Sequence, residues 1–220
     1  MCFSTPLTIA TDTPELYGFT VSAINPTADT VSITYQGLPA SQPKTYQNFI
    51  AIWAASMIPW KASPLRKQFI NDDNQDGSLT LTDVAITRTT YIVGYGVGPD
   101  ITTICACSLL NVGALFAGPP SSVSISVTSI TTNSLAVRYQ TLAGYLPQQY
   151  GNWIGLWGGF ASPYNAPDPL AKVLITSSSS EGTATFENVS LSAGCNYTLV
   201  YFVGASLTTA AAMLYFSTDS

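Results

Sequence analysis

The chain of 220 residues contains no histidine. This absence excludes every catalytic triad that uses a histidine base and every metal site that uses an imidazole ligand. Paired carboxylates could still perform acid–base chemistry, as in glycosidases, but no two acidic residues stand in a paired, recurrent position. We therefore expect no enzyme activity and assign no catalytic residues.

Charged residues are scarce, at 9% of the chain against a typical share of about 25%. Lys and Arg together number seven and the net charge is −5, so no basic patch is available to neutralise phosphates. We expect no nucleic-acid partner. A surface with so few charges gives little repulsion between copies of the chain, which favours self-association.

Long hydrophobic runs are also missing, since none approaches the roughly 18 residues of a membrane span. The first residues, Met1 to Pro6, show neither the basic nor the apolar part of a secretory signal. We expect no membrane span, and either a cytoplasmic location or export without a conventional signal peptide. With no histidine and no second cysteine pair nearby, Cys105 and Cys107 are predicted to be buried thiols.

The sequence does contain an internal repeat. Segment 19–110 aligns with segment 123–216 at a nearly constant offset, so that Trp53 falls on Trp157. Two copies predict two similar folded units. We expect an N-terminal extended arm at 1–18, a first unit at 19–110, a linker at 111–122 and a second unit at 123–220.

Alternating apolar residues and β-branched enrichment recur between turn signals, and helical periodicity is scarce. About seven short strands per unit predict an all-β chain of two tandem immunoglobulin-like (Greek-key) β-sandwich domains. The strands predicted for the first unit are 20–24, 30–36, 48–53, 68–71, 78–84, 90–97 and 102–110. The arm has no counterpart in the repeat, so we expect a tail or an extended segment on a sheet edge, with 5–13 as the strand that a neighbouring copy would accept.

The third strand of the second unit, Asn152 to Trp157, is followed by Gly158, Gly159 and Phe160. It resembles the Asp-Trp-(Ile/Val)-Gly-(Ile/Leu)-(Phe/Trp) strand of SKICH-type immunoglobulin-like domains, and the strand at 197–202 is similar to that family's Tyr-rich strand. In the first unit, 48–53 keeps the shape but loses the Trp-Gly pair. The resemblance implies a sandwich topology, in a family whose domains serve as adaptor, targeting and accessory modules.

One segment, 72–83, matches the spacing of an EF-hand calcium loop. Its oxygen ligands would be Asp72, Asn74, Asp76 and Asp83, with Gly77 at the sharp turn. The repeat carries almost no ligands at the equivalent place, so an Asp-Gly hairpin turn is the alternative that explains both copies. We expect no cofactor, with calcium as the alternative.

Aromatic residues on and around the third strands are the candidate binding residues. Alternation predicts that Phe49 and Trp53 lie on one face of their strand, and Trp153 and Trp157 likewise, although both faces of these strands are apolar. One face should be covered by the core and the other by a loop, a partner subunit or a ligand. The full set for ligand binding or self-association is Phe49, Trp53, Trp60, Tyr145, Tyr150, Trp153, Trp157 and Tyr164.

Two classes of function follow from these patterns. The first is a structural or interaction protein that self-associates through apolar sheet faces and edges, as a dimer, lattice, inclusion or fibre. The alternative is a carbohydrate-binding or toxin-like recognition protein whose aromatic loops stack on a glycan. The expected partner is the chain itself, or a glycan in the second case.

Overall fold

A computed structural model describes residues 5–10, 14–113 and 120–219. These residues form two short 3-10 helices and sixteen β-strands. The strands are β1 (Glu15–Gly18), β2 (Thr20–Ile24), β3 (Val31–Gln36), β4 (Phe49–Trp53), β5 (Arg66–Phe69), β6 (Asp76–Leu81), β7 (Thr90–Gly96), β8 (Ile104–Asn111), β9 (Ser121–Ser122), β10 (Ser124–Ile130), β11 (Ser134–Gln140), β12 (Trp153–Gly158), β13 (Ala171–Leu174), β14 (Glu181–Glu187), β15 (Asn196–Phe202) and β16 (Ala210–Ser217).

The chain folds into two compact units, each built from discontinuous segments. The repeat-1 unit contains 18–123 and 142–145, and the repeat-2 unit contains 1–17, 124–141 and 146–220. Residues 114–119 of the predicted linker, and 1–4 and 11–13 of the predicted arm, lie outside the described residues. No helix in the described parts of the chain has the length and apolar character needed to cross a membrane.

In the repeat-1 unit, one sheet has the order β2-β3-β6 and the other the order β5-β4-β7-β8-β9. The ladders run antiparallel. With β2 to β8 lettered A, B, C, C′, E, F and G, this is the A-B-E and C′-C-F-G arrangement of a Greek-key sandwich. The all-β sandwich prediction is confirmed, and each of the seven predicted strands overlaps an observed one.

The repeat-2 unit has the same order, with β10-β11-β14 in one sheet and β1-β16-β15-β12-β13 in the other. In both units a short strand borders the G strand: β9 lies beside β8, and β1 lies beside β16. The opposite edge of each larger sheet is the C′ strand, β5 or β13. We call these two strands the C′ edges.

A tyrosine at the start of each F strand fixes the loop that precedes it. The Tyr91 hydroxyl accepts hydrogen bonds from the backbone N–H groups of Thr87 and Arg88, each at 2.7 Å. The Tyr197 hydroxyl accepts one from Ser192 N at 2.8 Å. Such tyrosine corners accompany Greek-key sandwiches, because they close the crossover between the E and F strands.

The predicted hairpin turn at Gly77 is wrong. Gly77 lies inside β6, opposite Tyr35 of β3, and Gly182 lies inside β14, opposite Tyr139 of β11. The chain leaves β5 in one sheet and enters β6 in the other, so the two strands do not form a hairpin. These glycines are required because tyrosine rings pack over them.

Candidate functional site

The C strands β4 and β12 are buried on both faces. All five residues of β4 are buried, as are the first five of β12. In β4, the side chains of Phe49, Ala51 and Trp53 form an apolar cluster with Ile58 and other residues of the repeat-1 unit. We call this group the outer-face cluster. By strand alternation, Ile50 and Ile52 lie on the opposite face. The larger sheet of this unit therefore has an apolar outer face as well as an apolar inner one.

The loops that follow the C strands are fixed by the indole groups. Trp53 Nε1 donates to the backbone oxygen of Ala62 at 3.0 Å, and Trp157 Nε1 donates to that of Pro167 at 2.8 Å. Because buried indole N–H groups need an acceptor, each bond holds its loop against the sheet. The sequence predicted that a loop, a partner subunit or a ligand would cover the second face of these strands. In each unit the structure places a loop there.

Within the repeat-1 unit, Trp60 and Tyr145 are part of the structure that covers the outer face of β4. Their ring centroids lie 4.8 Å apart. Trp60 Nε1 donates to Ala143 O at 3.0 Å, and the Tyr145 hydroxyl donates to Thr102 O at 2.8 Å. Both polar ends are therefore bonded inside the unit, and Tyr145 is only 2% exposed.

The remaining aromatic candidates divide by burial. Trp153 and Trp157 are buried, and Trp153 stacks on Phe202 with ring centroids 3.9 Å apart and planes 8° from parallel. Tyr150 and Tyr164 are half-buried. Of the eight candidates, five are almost fully buried side chains: Phe49, Trp53, Tyr145, Trp153 and Trp157.

A lysine on each C′ edge lies over an aromatic ring of the neighbouring C strand. Lys67 Nζ lies 4.1 Å from the centroid of the Phe49 ring, and Lys172 Nζ lies 4.6 Å from that of Trp153. Burial lowers the pKa of Lys67, and the nearby Asp100 opposes this shift. These cation–π pairs were not predicted. Lys67 and Lys172 occupy equivalent positions in the two aligned repeats, and this recurrence is a signal that could have identified them.

Large exposed apolar side chains occur on or directly beside both C′ edges at equivalent positions. In the repeat-1 unit they are Leu65, at 51% exposure, and Phe69, at 45%. In the repeat-2 unit they are Leu170, at 64%, and Leu174, at 58%. Each pair flanks the lysine described above. Sequence reasoning missed these residues, because it concentrated on the C strands.

The four calcium candidates do not share one loop. Asp72 Oδ1 accepts a hydrogen bond from Asn74 N at 2.9 Å, whereas Asp76 begins β6. A strand advances about 3.3 Å per residue, so Asp83, beyond the end of β6, lies far from Asp76 and instead contacts Arg66 at 3.7 Å. Residues 5–10, 14–113 and 120–219 contain no group of three or more His, Cys, Asp or Glu side chains placed to hold a metal ion.

Three of the four cysteines are described, and all three are free thiols. Cys105 is fully buried in β8, and Cys107 packs against the outer-face cluster of β4. Burial raises the pKa of Cys105, and it raises the pKa of Cys107 to about 11. Both thiols are therefore protonated at neutral pH and are poor nucleophiles.

No protein-family model matches the chain, and no curated protein matches it. Among solved structures, it is similar to Salmonella alpha-2-macroglobulin, both as a point mutant and as the form reacted with methylamine, at 11% and 12% identity. Each alignment covers 96% of this chain and 17% of the macroglobulin chain, with a TM-score of 0.29. A TM-score this low is not evidence of a shared fold. The assignment of two immunoglobulin-like sandwich units therefore rests on strand order, register and the tyrosine corners.

Proposed function

We propose that the chain is a non-catalytic interaction protein that associates with copies of itself through the C′ edges. The observation that carries this proposal is the pair of equivalent exposed positions, Leu65 and Phe69 in one unit and Leu170 and Leu174 in the other. Exposed apolar side chains that recur at a sheet edge are typical of a surface that contacts another protein.

The backbone of each C′ edge is suited to strand addition. Ile70 N donates to Asn48 O at 2.9 Å, which fixes the register between β4 and β5. Because alternate residues of an antiparallel strand point to opposite sides, the N–H and C=O groups of Lys67 and Phe69 point away from β4. In the repeat-2 unit, Ile175 N donates to Asn152 O at 2.9 Å, so Lys172 and Leu174 are oriented in the same way.

At the other edge of each larger sheet, the G strand is already paired, because β9 borders β8 and β1 borders β16. Few charges oppose the approach of a second copy, since charged residues make up only 9% of the chain. Lys67 and Lys172 disfavour pairing of a C′ edge with an identical strand in perfect register. The chemistry therefore favours a staggered contact in which the flanking apolar side chains meet.

The carbohydrate-binding alternative has less support. A sugar platform needs exposed aromatic faces, whereas five of the eight candidate rings are almost fully buried. A pocket of about 230 Å³ does lie beside the outer-face cluster, but its side chains, among them Met57, Ile92 and Leu109, are mainly apolar. Such a lining supplies few partners for sugar hydroxyls.

Sedimentation equilibrium over a wide concentration range tests the proposal. We expect the native chain to associate, and the quadruple variant Leu65→Thr, Phe69→Thr, Leu170→Thr, Leu174→Thr to raise the dissociation constant by at least about tenfold. The control variant Met57→Thr, Leu207→Thr removes two exposed apolar side chains outside the C′ edges, at 56% and 41% exposure, and should leave the dissociation constant unchanged. A native chain that remains monomeric at every concentration would contradict the proposal.

A further inference from the structure

We define the N-terminal arm by the described residues 5–10 and 14–17. The arm packs on the repeat-2 unit and not on the repeat-1 unit, which follows it directly in the sequence. The arm belongs to the repeat-2 unit, yet the residues that follow it, from Gly18 to Val123, form the repeat-1 unit. A structural element is therefore separated from the rest of its own unit by a complete folded unit. Elements placed in this way are those that identical chains can exchange.

One end of the arm bonds to the end of β10. Leu7 N donates to Ile130 O at 3.2 Å, and Thr132 N donates to Thr5 O at 2.9 Å. Thr5 N also donates to the Thr132 hydroxyl at 3.2 Å. These bonds attach the arm to the smaller sheet of the repeat-2 unit.

The other end of the arm bonds to the end of β16, in the larger sheet. Ala10 N donates to Ser217 O and Asp219 N donates to Thr8 O, both at 2.9 Å. The Thr8 hydroxyl donates to the Asp219 carboxylate at 2.6 Å. The arm thus connects both sheets of the sandwich along one side, and β1 continues beside β16.

The arm is held without a deeply buried anchor. None of its described residues is fully buried, and its large apolar side chains Leu7, Ile9 and Tyr17 are only half-buried. Backbone hydrogen bonds therefore provide most of its attachment, and each contributes only a modest net stabilisation in water. The same bonds form whether the arm comes from the same chain or from another one.

We propose that two copies of the chain exchange these arms, so that the arm of one copy completes the repeat-2 unit of the other. Reciprocal exchange makes two such contacts in a single association step and closes a dimer. Exchange that is not reciprocal links chains head to tail into an open fibre. This inference rests on the proposed function, because C′-edge contacts between copies raise the local concentration of a neighbouring arm.

A pair of chains, each with one added cysteine and with the buried thiols Cys105 and Cys107 retained, tests the exchange. One chain carries Thr8→Cys and the other carries Asp219→Cys, and both also carry Cys2→Ser and Cys195→Ser to remove competing thiols. Coexpression with two different affinity tags allows either chain to supply the arm during folding. Because each chain lacks the other cysteine, a disulfide between positions 8 and 219 forms only if the arm docks on another copy. A single chain with both substitutions is the control for disulfide geometry, since opposed residues of antiparallel strands lie within bonding range.

We expect a heterodimer that carries both tags on a non-reducing gel and disappears on reduction. An independent variant, Leu7→Pro with Ala10→Pro, removes two N–H donors of the arm, and we expect its dissociation constant to rise at least about tenfold. If the native chain associates but no mixed disulfide forms and the proline variant associates normally, the exchange is wrong and the proposed function stands. If the mixed disulfide forms although the C′-edge variant associates normally, the exchange stands and the C′-edge assignment is wrong.

Discussion

The hydroxyl of Tyr35 lies over the Cα atom of Gly77, so close that a Cβ atom added to that glycine would be 2.5 Å from the hydroxyl oxygen. The same relationship joins Tyr139 to Gly182, with 2.6 Å in place of 2.5 Å. In each unit the tyrosine belongs to the B strand and the glycine to the E strand. A large ring opposite a strand glycine restores packing that the glycine itself cannot provide.

We expect Gly77→Ala to reduce the free energy of unfolding by about 1–3 kcal/mol, because the buried Tyr35 ring must move to make room. Urea unfolding measures the loss. Gly158→Ala is the matched control, since its nearest new neighbour would be Leu170 Cδ1 at an ordinary 3.5 Å. Equal midpoints for the two variants would show that the ring moves without cost.

The tyrosine corners should contribute to stability in both units. Tyr91→Phe leaves the N–H groups of Thr87 and Arg88 without their acceptor, and we expect a loss of about 1–3 kcal/mol in thermal or urea unfolding. Tyr197→Phe removes the acceptor of Ser192 N and should cost less. Tyr215→Phe, which keeps its ring contact with Phe160, is the control for loss of a tyrosine hydroxyl elsewhere.

Calcium should not stabilise the chain, because Asp76 is the first residue of β6 whereas Asp83 lies beyond the other end of that strand. A ligand that binds only the folded state raises the melting temperature with its concentration. We therefore expect the same melting temperature with calcium and with a chelator. A calcium-dependent rise that Asp76→Asn abolishes would restore the loop 72–83 as a metal site.

Alkaline pH should destabilise the repeat-1 unit through Cys107. Burial raises the pKa of this thiol from 9.0 to about 11, so between these values the unfolded chain releases a proton that the folded chain retains. The contribution of the protonated thiol to the free energy of unfolding is therefore fully present below pH 9, and it is lost as the pH rises towards 11. The difference in unfolding free energy between the native chain and Cys107→Ala should narrow over this interval. A pH-independent difference would mean that the thiol ionises normally.

Much of the fold could be predicted because the two repeats report the same local pattern. The C strand at 48–53 and the F strand at 90–97 stand out by their apolar runs, and both are found. The chemistry of residues 72–83 could not be predicted in the same way. An Asp-Gly pair fits a hairpin turn equally well, and only the long-range partner Tyr35 shows that Gly77 lies inside a strand.

The candidate site was predicted less well for a similar reason. Apolar residues on both faces of β4 indicated a second cover, but nothing in the local sequence shows that Trp53 bonds to Ala62 and Trp60 to Ala143. The exposed Leu65 and Leu170 are also ordinary in sequence. Their importance emerges when the topology places them at the same open edge in both units.

The arm also sets an order of events during synthesis of the chain. Its residue Thr8 and the acceptor Asp219 are separated by 211 positions. At about 5–20 residues per second, a ribosome takes roughly 10–40 s to produce the second partner after the first. Throughout that interval the arm has been synthesised while its acceptor at the end of β16 does not yet exist. On a messenger read by several ribosomes, a chain further advanced in synthesis presents the acceptor first, so the spacing of ribosomes influences which molecule each arm joins.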